Sequence, residues 1–216
     1  NVNLTILLFN NRIYGLTKGQ YSPTSEVGKV TKSTPMGSVD HPFNTLSLAL
    51  GAEATFAARA LDSDRKGLTD VLRRAAEHRG TAFVEIYQNC PIFNDGSFDV
   101  LRKEDAEQRV IPLRHGEPIV FGAEGQKCVV RDGFGLRVVD TASADPGSIV
   151  VHDAHADDPE YAFALSRLSD QNLDHTVFGV FRSVARPTYD DLVREQNESA
   201  RTGESRRRDS LQSLLT

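Results

Sequence analysis

The chain opens on a run of apolar and β-branched residues, Val2–Phe9 (VNLTILLF). Such a run reads as a strand of a parallel sheet, buried on both faces. A buried strand needs neighbours on both sides, so a preceding segment is expected; an edge strand is the alternative. From Asn10 to Pro42 the periodicity disappears, and Gly15, Gly19, Gly28, Gly37, Pro23 and Pro35 punctuate the stretch. Loops of this length in folded domains are usually functional or disordered. A short helix is predicted over Phe43–Leu50, ended by Gly51, and a second apolar strand over Ala54–Leu61. Ser63 or Asp64 then caps a helix over Arg65–Arg79, whose Leu68, Val71, Leu72, Ala75 and Ala76 share one face at helical spacing; Gly80 ends it. Thr81–Tyr87 (TAFVEIY) is a third strand. The alternation of strand and helix predicts an α/β fold, a parallel sheet with helices on both faces.

Beyond residue 100 the pattern changes. Arg109–Leu113, Ile119–Phe121, Lys127–Arg131 and Leu136–Asp140 are short strand candidates separated by glycines, which predicts a small antiparallel extension. Asp158-Pro159-Glu160 is a helix start, with Pro at the first position and acids at the positive end of the dipole; the helix runs to about Leu168. Val177–Phe181 is a further strand, and Thr188 is placed to cap a last helix. The expected organisation is an α/β domain over 1–100, an α+β extension over 101–200 and a flexible tail over 201–216.

Composition narrows the function. The net charge of −5 lacks the basic excess of a nucleic-acid binder. The apolar runs are strand-sized, so no segment reads as a membrane span, and no signal-peptide pattern occurs. Two distant cysteines, Cys90 and Cys128, do not suggest a disulfide framework; a reducing cytoplasm is the expected compartment.

In parallel sheets, ligands bind beyond the carboxyl ends of the strands. Two segments fall there: Asn10–Gln20 after the first strand and Gln88–Gly96 after the third. In the first, Asn10-Asn11 offers neutral side-chain oxygens, which suit a hard cation that shares its shell with phosphate. The glycines allow close approach of the backbone to a ligand. The competing reading is an Asn-Asn turn with no ligand. In the second segment, Cys90 stands alone with no CxxC partner, and a small buried hydrophobe is the competing reading.

The run NVNLTILLFNNRIYGLTKGQYSPTS resembles the second half of the thiamine diphosphate motif in the β subunits of 2-oxoacid:ferredoxin oxidoreductases. The resemblance is specific to about Phe98 and continues more loosely through His152–Leu168, as in 2-oxoglutarate enzymes of this family. It implies a partial thiamine diphosphate-binding fold in the first hundred residues. It also implies that Asn11 gives its side-chain oxygen, and Ile13 its backbone carbonyl, to Mg²⁺. Tyr14, Gly15, Leu16 and Thr17 would line the cofactor. Leu16 and Lys18 would face the 2-oxoacid, although Lys18 also reads as a plain exposed loop charge. Cys90 matches the fourth ligand of a 4Fe–4S cluster. The family's upstream Gly-Asp-Gly and its three other cysteines are not in this chain. The activity implied is thiamine-dependent oxidative decarboxylation of a 2-oxoacid, 2-oxoglutarate above all. Coenzyme A would take up the acyl group, and electrons would pass through the cluster to ferredoxin. An α subunit would complete the enzyme. A thiamine-dependent decarboxylase or synthase without electron transfer, and a non-catalytic fragment, are the alternatives.

Other candidates carry less. His152 and His155 are spaced three apart and could bind a metal if helical, but Asp158-Pro159 places them before a helix. Asp157 and Asp158 read as caps rather than an acid–base pair. His41 reads as a hydrogen-bonded loop residue. Arg73, Arg74, His78 and Arg79 form a basic face, explained by solvation or a subunit contact. Cys128 reads as a core residue. No Gly-x-Ser-x-Gly elbow supports a hydrolase.

Overall fold

The computed structural model describes residues 1–169 and 171–202. Its frame is a five-stranded sheet in the order β1 (Leu4–Asn10), β3 (Thr81–Tyr87), β2 (Phe56–Leu61), β8 (Thr176–Ser183), β4 (Val110–Pro112). The first three of these, β1, β3 and β2, are all parallel. Between them lie α1 (Thr45–Gly51) and α2 (Arg65–Glu77). Both helices start where a side chain satisfies an orphan amide. Asn44 Oδ1 accepts from Ser47 N at 2.9 Å, and Asp64 Oδ1 from Gly67 N at 3.0 Å.

The remaining elements are β4 (Val110–Pro112), β5 (Val120–Phe121), β6 (Lys127–Asp132), β7 (Gly135–Asp140), α3 (Glu160–Arg167), β8 (Thr176–Ser183) and α4 (Tyr189–Thr202). Strands β5, β6 and β7 form the expected small antiparallel sheet, with Cys128 fully buried in it. Alternate residues of the large sheet face two separate cores. Ala57 and Phe181 pack with Leu46 and Leu50 of α1 and Leu165 of α3. Phe56, Ala58, Val84 and Ile86 pack with Val71 and Ala75 of α2 on the opposite face. Helices therefore cover both faces, as the alternation predicts, and burying each Leu or Phe contributes about 1.5–3 kcal/mol.

Two expectations are corrected. The sheet is mixed, because β8 runs antiparallel to β2 and β4 then pairs parallel to β8. A hydrophobic run specifies a buried strand but not its direction. The segment 109–113 joins this large sheet rather than the small one, so the sheet crosses the expected boundary near residue 100. β1 is parallel as expected. Among the described residues it pairs only with β3, and Leu4, Leu7 and Phe9 are exposed. The expected flexible tail, beyond its first two positions in α4, lies outside the described residues. Among the described residues, no helix is long and apolar enough to cross a membrane.

Candidate functional site: two loops at the carboxyl ends of β1 and β3

The loop after β1 turns sharply at once. Arg12 is buried with φ of 56°, a left-handed conformation that costs an ordinary residue about 1–2 kcal/mol. Hydrogen bonds hold the turn from several sides. Asn10 Oδ1 accepts from Arg12 N at 3.1 Å, and Ser25 Oγ donates to the Arg12 carbonyl at 2.6 Å. The Arg12 guanidinium donates to the Gln171 carbonyl at 2.8 Å. Asn11 Oδ1 accepts from Ile13 N at 3.2 Å. The carbonyls of Asn10, Asn11, Arg12 and Tyr14 each accept a hydrogen bond. No donor among the described residues reaches the carbonyl of Ile13, a residue that is itself buried.

This turn can present two neutral oxygens, the Asn11 side chain and the Ile13 carbonyl. Oxygens of that kind fit Mg²⁺, which shares its octahedral shell with phosphate and water. They fill only part of such a shell. Among the described residues no group of three or more His, Cys, Asp or Glu could hold a metal.

The second loop leans on the first. Asn94 N donates to the Cys90 carbonyl at 2.9 Å, closing a tight loop over 90–94. The Asn94 side chain reaches across: Nδ2 donates to the Asn11 carbonyl at 2.9 Å, while Oδ1 accepts from Lys29 Nζ. The Phe93 ring lies against Gly19, which has φ of +96°. The backbone there favours glycine, and a Cβ would meet that ring at 3.1 Å, tight enough that the ring would have to shift. Cys90 is half-buried. One thiol is not a cluster site, since a 4Fe–4S cluster takes four thiolates and Cys128 is buried in the small sheet. The residues of this chain alone do not fit that group.

Under the first loop lies a buried ion pair. Arg59 of β2 and Glu85 of β3 are register partners, with Arg59 Nε donating to Glu85 Oε2 at 2.7 Å; each side chain is 3% exposed. Burial lowers the Arg59 pKa, but Tyr87 and Glu85 outweigh it and the net shift is upward, so the guanidinium stays charged. Asn10 Nδ2 donates to the other oxygen, Oε1 of Glu85, at 2.8 Å. A cleft of about 360 Å³ opens here, lined by Asn10, Arg12, Thr24, His41, Arg59 and Glu85. A second, of about 530 Å³, adjoins it beside Tyr14 and Tyr21.

The residues named from sequence are thus distributed unevenly. Asn11, Ile13 and the loop of Cys90 are drawn together through Asn94. Gly15 lies near the Phe93 ring. Tyr14, Thr17 and Lys18 are exposed, and Leu16 is 98% exposed. Among the described residues, Thr17 Oγ1 reaches the Tyr14 carbonyl alone, at 3.4 Å. His41 lines both clefts. The histidines 152 and 155 hold no metal geometry: His152 is buried between the Val180 carbonyl and the Tyr161 hydroxyl, and His155 bonds the Ser183 carbonyl. Asp158 Oδ1 accepts from Glu160 N at the start of α3, but Pro159, not either aspartate, takes the cap position, and it brings no side-chain hydrogen bond. Sequence reasoning missed Asn94, Thr24 and the Arg59–Glu85 pair. The pair did leave a signal, one opposite charge in each of two otherwise apolar strands.

Comparison with known proteins gives this arrangement a family. Residues 1–86 match the model for thiamine pyrophosphate enzymes, C-terminal TPP binding domain. The chain is 73% identical over 215 residues to 2-oxoglutarate oxidoreductase subunit KorB of Mycobacterium tuberculosis, covering all of this chain and 58% of that one. It is 40% identical over 113 residues to the 2-oxoacid:ferredoxin oxidoreductase subunit beta of Saccharolobus solfataricus, covering 52% of this chain and 36% of that one. Among solved structures it resembles a 2-oxoglutarate:ferredoxin oxidoreductase from Magnetococcus marinus, which has 2-oxoglutarate, coenzyme A and succinyl-CoA bound. The TM-score is 0.65 at 28% identity, over 93% of this chain and 54% of that one. The chain therefore spans less than two thirds of each relative: 58%, 36% and 54% of their lengths in turn. On the match along the whole chain and the domain match over residues 1–86, the chain belongs to the β-subunit family of the 2-oxoacid:ferredoxin oxidoreductases.

Proposed function

We propose that this chain is the thiamine diphosphate-binding portion of a 2-oxoglutarate:ferredoxin oxidoreductase β subunit. The enzyme would decarboxylate 2-oxoglutarate oxidatively, pass the succinyl group to coenzyme A and release electrons singly to ferredoxin. The observation that carries this reading is the 73% identity along the whole chain to a 2-oxoglutarate oxidoreductase subunit.

The geometry supports specific roles. Asn11 Oδ1 and the Ile13 carbonyl would hold Mg²⁺, since the turn leaves the latter without a donor among the described residues. Tyr14, Gly15, Leu16 and Thr17 would border the cofactor, with Leu16 and Lys18 toward the 2-oxoacid. Thiamine diphosphate, when bound, supplies the electron sink for decarboxylation, and the protein supplies binding and orientation. Cys90 would give one thiolate to a 4Fe–4S cluster whose other three lie outside this chain. Leu16, Val30, Met36, Val39 and Ile92, on the long stretch after β1 and on the loop of Cys90, are exposed. An α subunit is the partner this reading names, and covering these side chains would suit it. The cytoplasm is the compartment that suits a thiolate-bound cluster.

The test uses the full-length protein with its partner subunit, supplied with thiamine diphosphate, Mg²⁺ and coenzyme A. Reduction of ferredoxin or a viologen dye should depend on 2-oxoglutarate and exceed that with pyruvate. Decarboxylation without acceptor reduction would replace the reading with a non-redox thiamine enzyme, and no turnover at all would overturn it.

A further inference from the structure

We infer that Arg59, Glu85 and Asn10 form a polarity relay that positions the Asn11–Ile13 turn, and that these are positioning residues for metal and cofactor binding. The inference rests on the reading that Asn11 and Ile13 hold Mg²⁺.

The turn needs such a device. Arg12 sits in a left-handed conformation, and strained residues persist only where their surroundings over-determine them. The Arg12 amide is held by Asn10 Oδ1, which also accepts from Thr24 Oγ1 at 2.7 Å. An Asn amide has two orientations, oxygen or nitrogen toward a given neighbour. Only one of them serves the turn, the one with Oδ1 toward Arg12 N. Glu85 selects it. A carboxylate accepts and cannot donate, so Oε1 at 2.8 Å demands the Asn10 Nδ2. Glu85 is fixed in turn by Arg59, whose Nε holds Oε2 and whose Nη1 is tied to Ser169 Oγ at 2.7 Å. The order of determination runs from Arg59 to Glu85, to the Asn10 amide, to the Arg12 backbone, and so to the placement of the next oxygens. All three residues are at least nine-tenths buried, where a mispaired donor or acceptor is costly.

A relay defined by polarity can be inverted. In Asn10→Asp, two carboxylates would face each other across the hydrogen bond. In Asn10→Asp combined with Glu85→Gln, the new amide nitrogen would donate to the new carboxylate, while the amide oxygen accepts from Arg59. That carboxylate would still accept from Arg12 N and Thr24, and the local net charge is unchanged.

The experiment uses the full-length protein with its partner. Calorimetry reads the Mg²⁺ concentration that half-saturates thiamine diphosphate binding, and hydrogen exchange reads the Arg12 amide in the cofactor-free protein. Asn10→Asp should raise the Mg²⁺ requirement roughly tenfold and speed Arg12 exchange, and the double variant should return both to within about threefold of wild type. Thr24→Val, which removes one donor to Asn10 Oδ1 while keeping the shape, should give a smaller shift in the same direction; it decides the matter if Asn10→Asp does not fold. Unchanged exchange and unchanged Mg²⁺ requirement in these variants would overturn the relay, as would a folded double variant with no recovery. Asn11→Ala separates this from the underlying reading. If Asn11→Ala leaves cofactor affinity intact, the metal assignment fails, while the exchange result still judges the relay.

Discussion

Asn94 Nδ2 donates to the Asn11 carbonyl at 2.9 Å, so the loop that carries Cys90 directly supports the loop proposed to hold the metal. Its Oδ1 is occupied by Lys29, which fixes the amide so that the nitrogen faces Asn11. Asn94→Asp would keep the Lys29 contact and lose the donor. The expected effect is a loss of about 1 kcal/mol of cofactor affinity, roughly fivefold in Kd. Calorimetry with thiamine diphosphate and Mg²⁺ on the full-length complex checks it. Asn11→Ala, which removes a proposed ligand outright, should weaken affinity about tenfold more than that variant.

Cys90→Ser separates the two loops chemically. It should lower iron content and the visible absorbance of a cluster while thiamine diphosphate affinity stays within about twofold, because the Asn94 backbone and side chain are untouched. An unaltered iron content would remove Cys90 from the cluster assignment.

Glu85→Ala would leave the Arg59 guanidinium buried without its carboxylate. Losing one partner of a buried pair destabilises by about 3–5 kcal/mol, whereas replacing both with apolar residues of similar volume is often neutral. Urea unfolding of Glu85→Ala should show that loss. Arg59→Met with Glu85→Leu should recover much of it while still failing to restore cofactor affinity, since Asn10 would lack its acceptor.

Asp191 ties α4 to the end of α2. The Arg79 guanidinium, donating two hydrogen bonds, and the Thr188 hydroxyl hold its carboxyl at about 2. An unfolded Asp titrates at about 3.9. The folded value is depressed, so this contribution to stability is complete above the unfolded value and is lost as pH falls from about 4 through 2. A carboxyl NMR titration should show the low midpoint, and α4 amide exchange should quicken over the same window. Asp191→Asn should abolish that dependence; a titration at the ordinary carboxylate value would contradict the tie.

Gly19→Ala should destabilise the loop by about 1–2 kcal/mol, because the backbone is left-handed and the new methyl meets the Phe93 ring. In the Phe93→Ala background the contact part of that cost should vanish and the conformational part remain. Urea titrations of the single and double variants measure both.

Local pattern determined much of this protein. The three parallel strands and the two helices between them follow from apolar period, Asn and Asp caps and glycine stops, forces that act within a few residues. The long aperiodic stretch and the Asn-Asn dipeptide marked the place of the candidate site for the same reason: no helix or strand pattern competes there. The tertiary structure alone decided the rest. Strand direction and the insertion of β8 between β2 and β4 depend on how the chain returns to the sheet, which hydrophobic period does not encode. The pairing of Arg59 with Glu85, 26 residues apart, depends on the register of two strands. Asn10 and Asn11 are chemically identical in sequence. Alternation along β1 and the left-handed turn at Arg12 send one amide inward to Glu85 and fold the other back over Ile13.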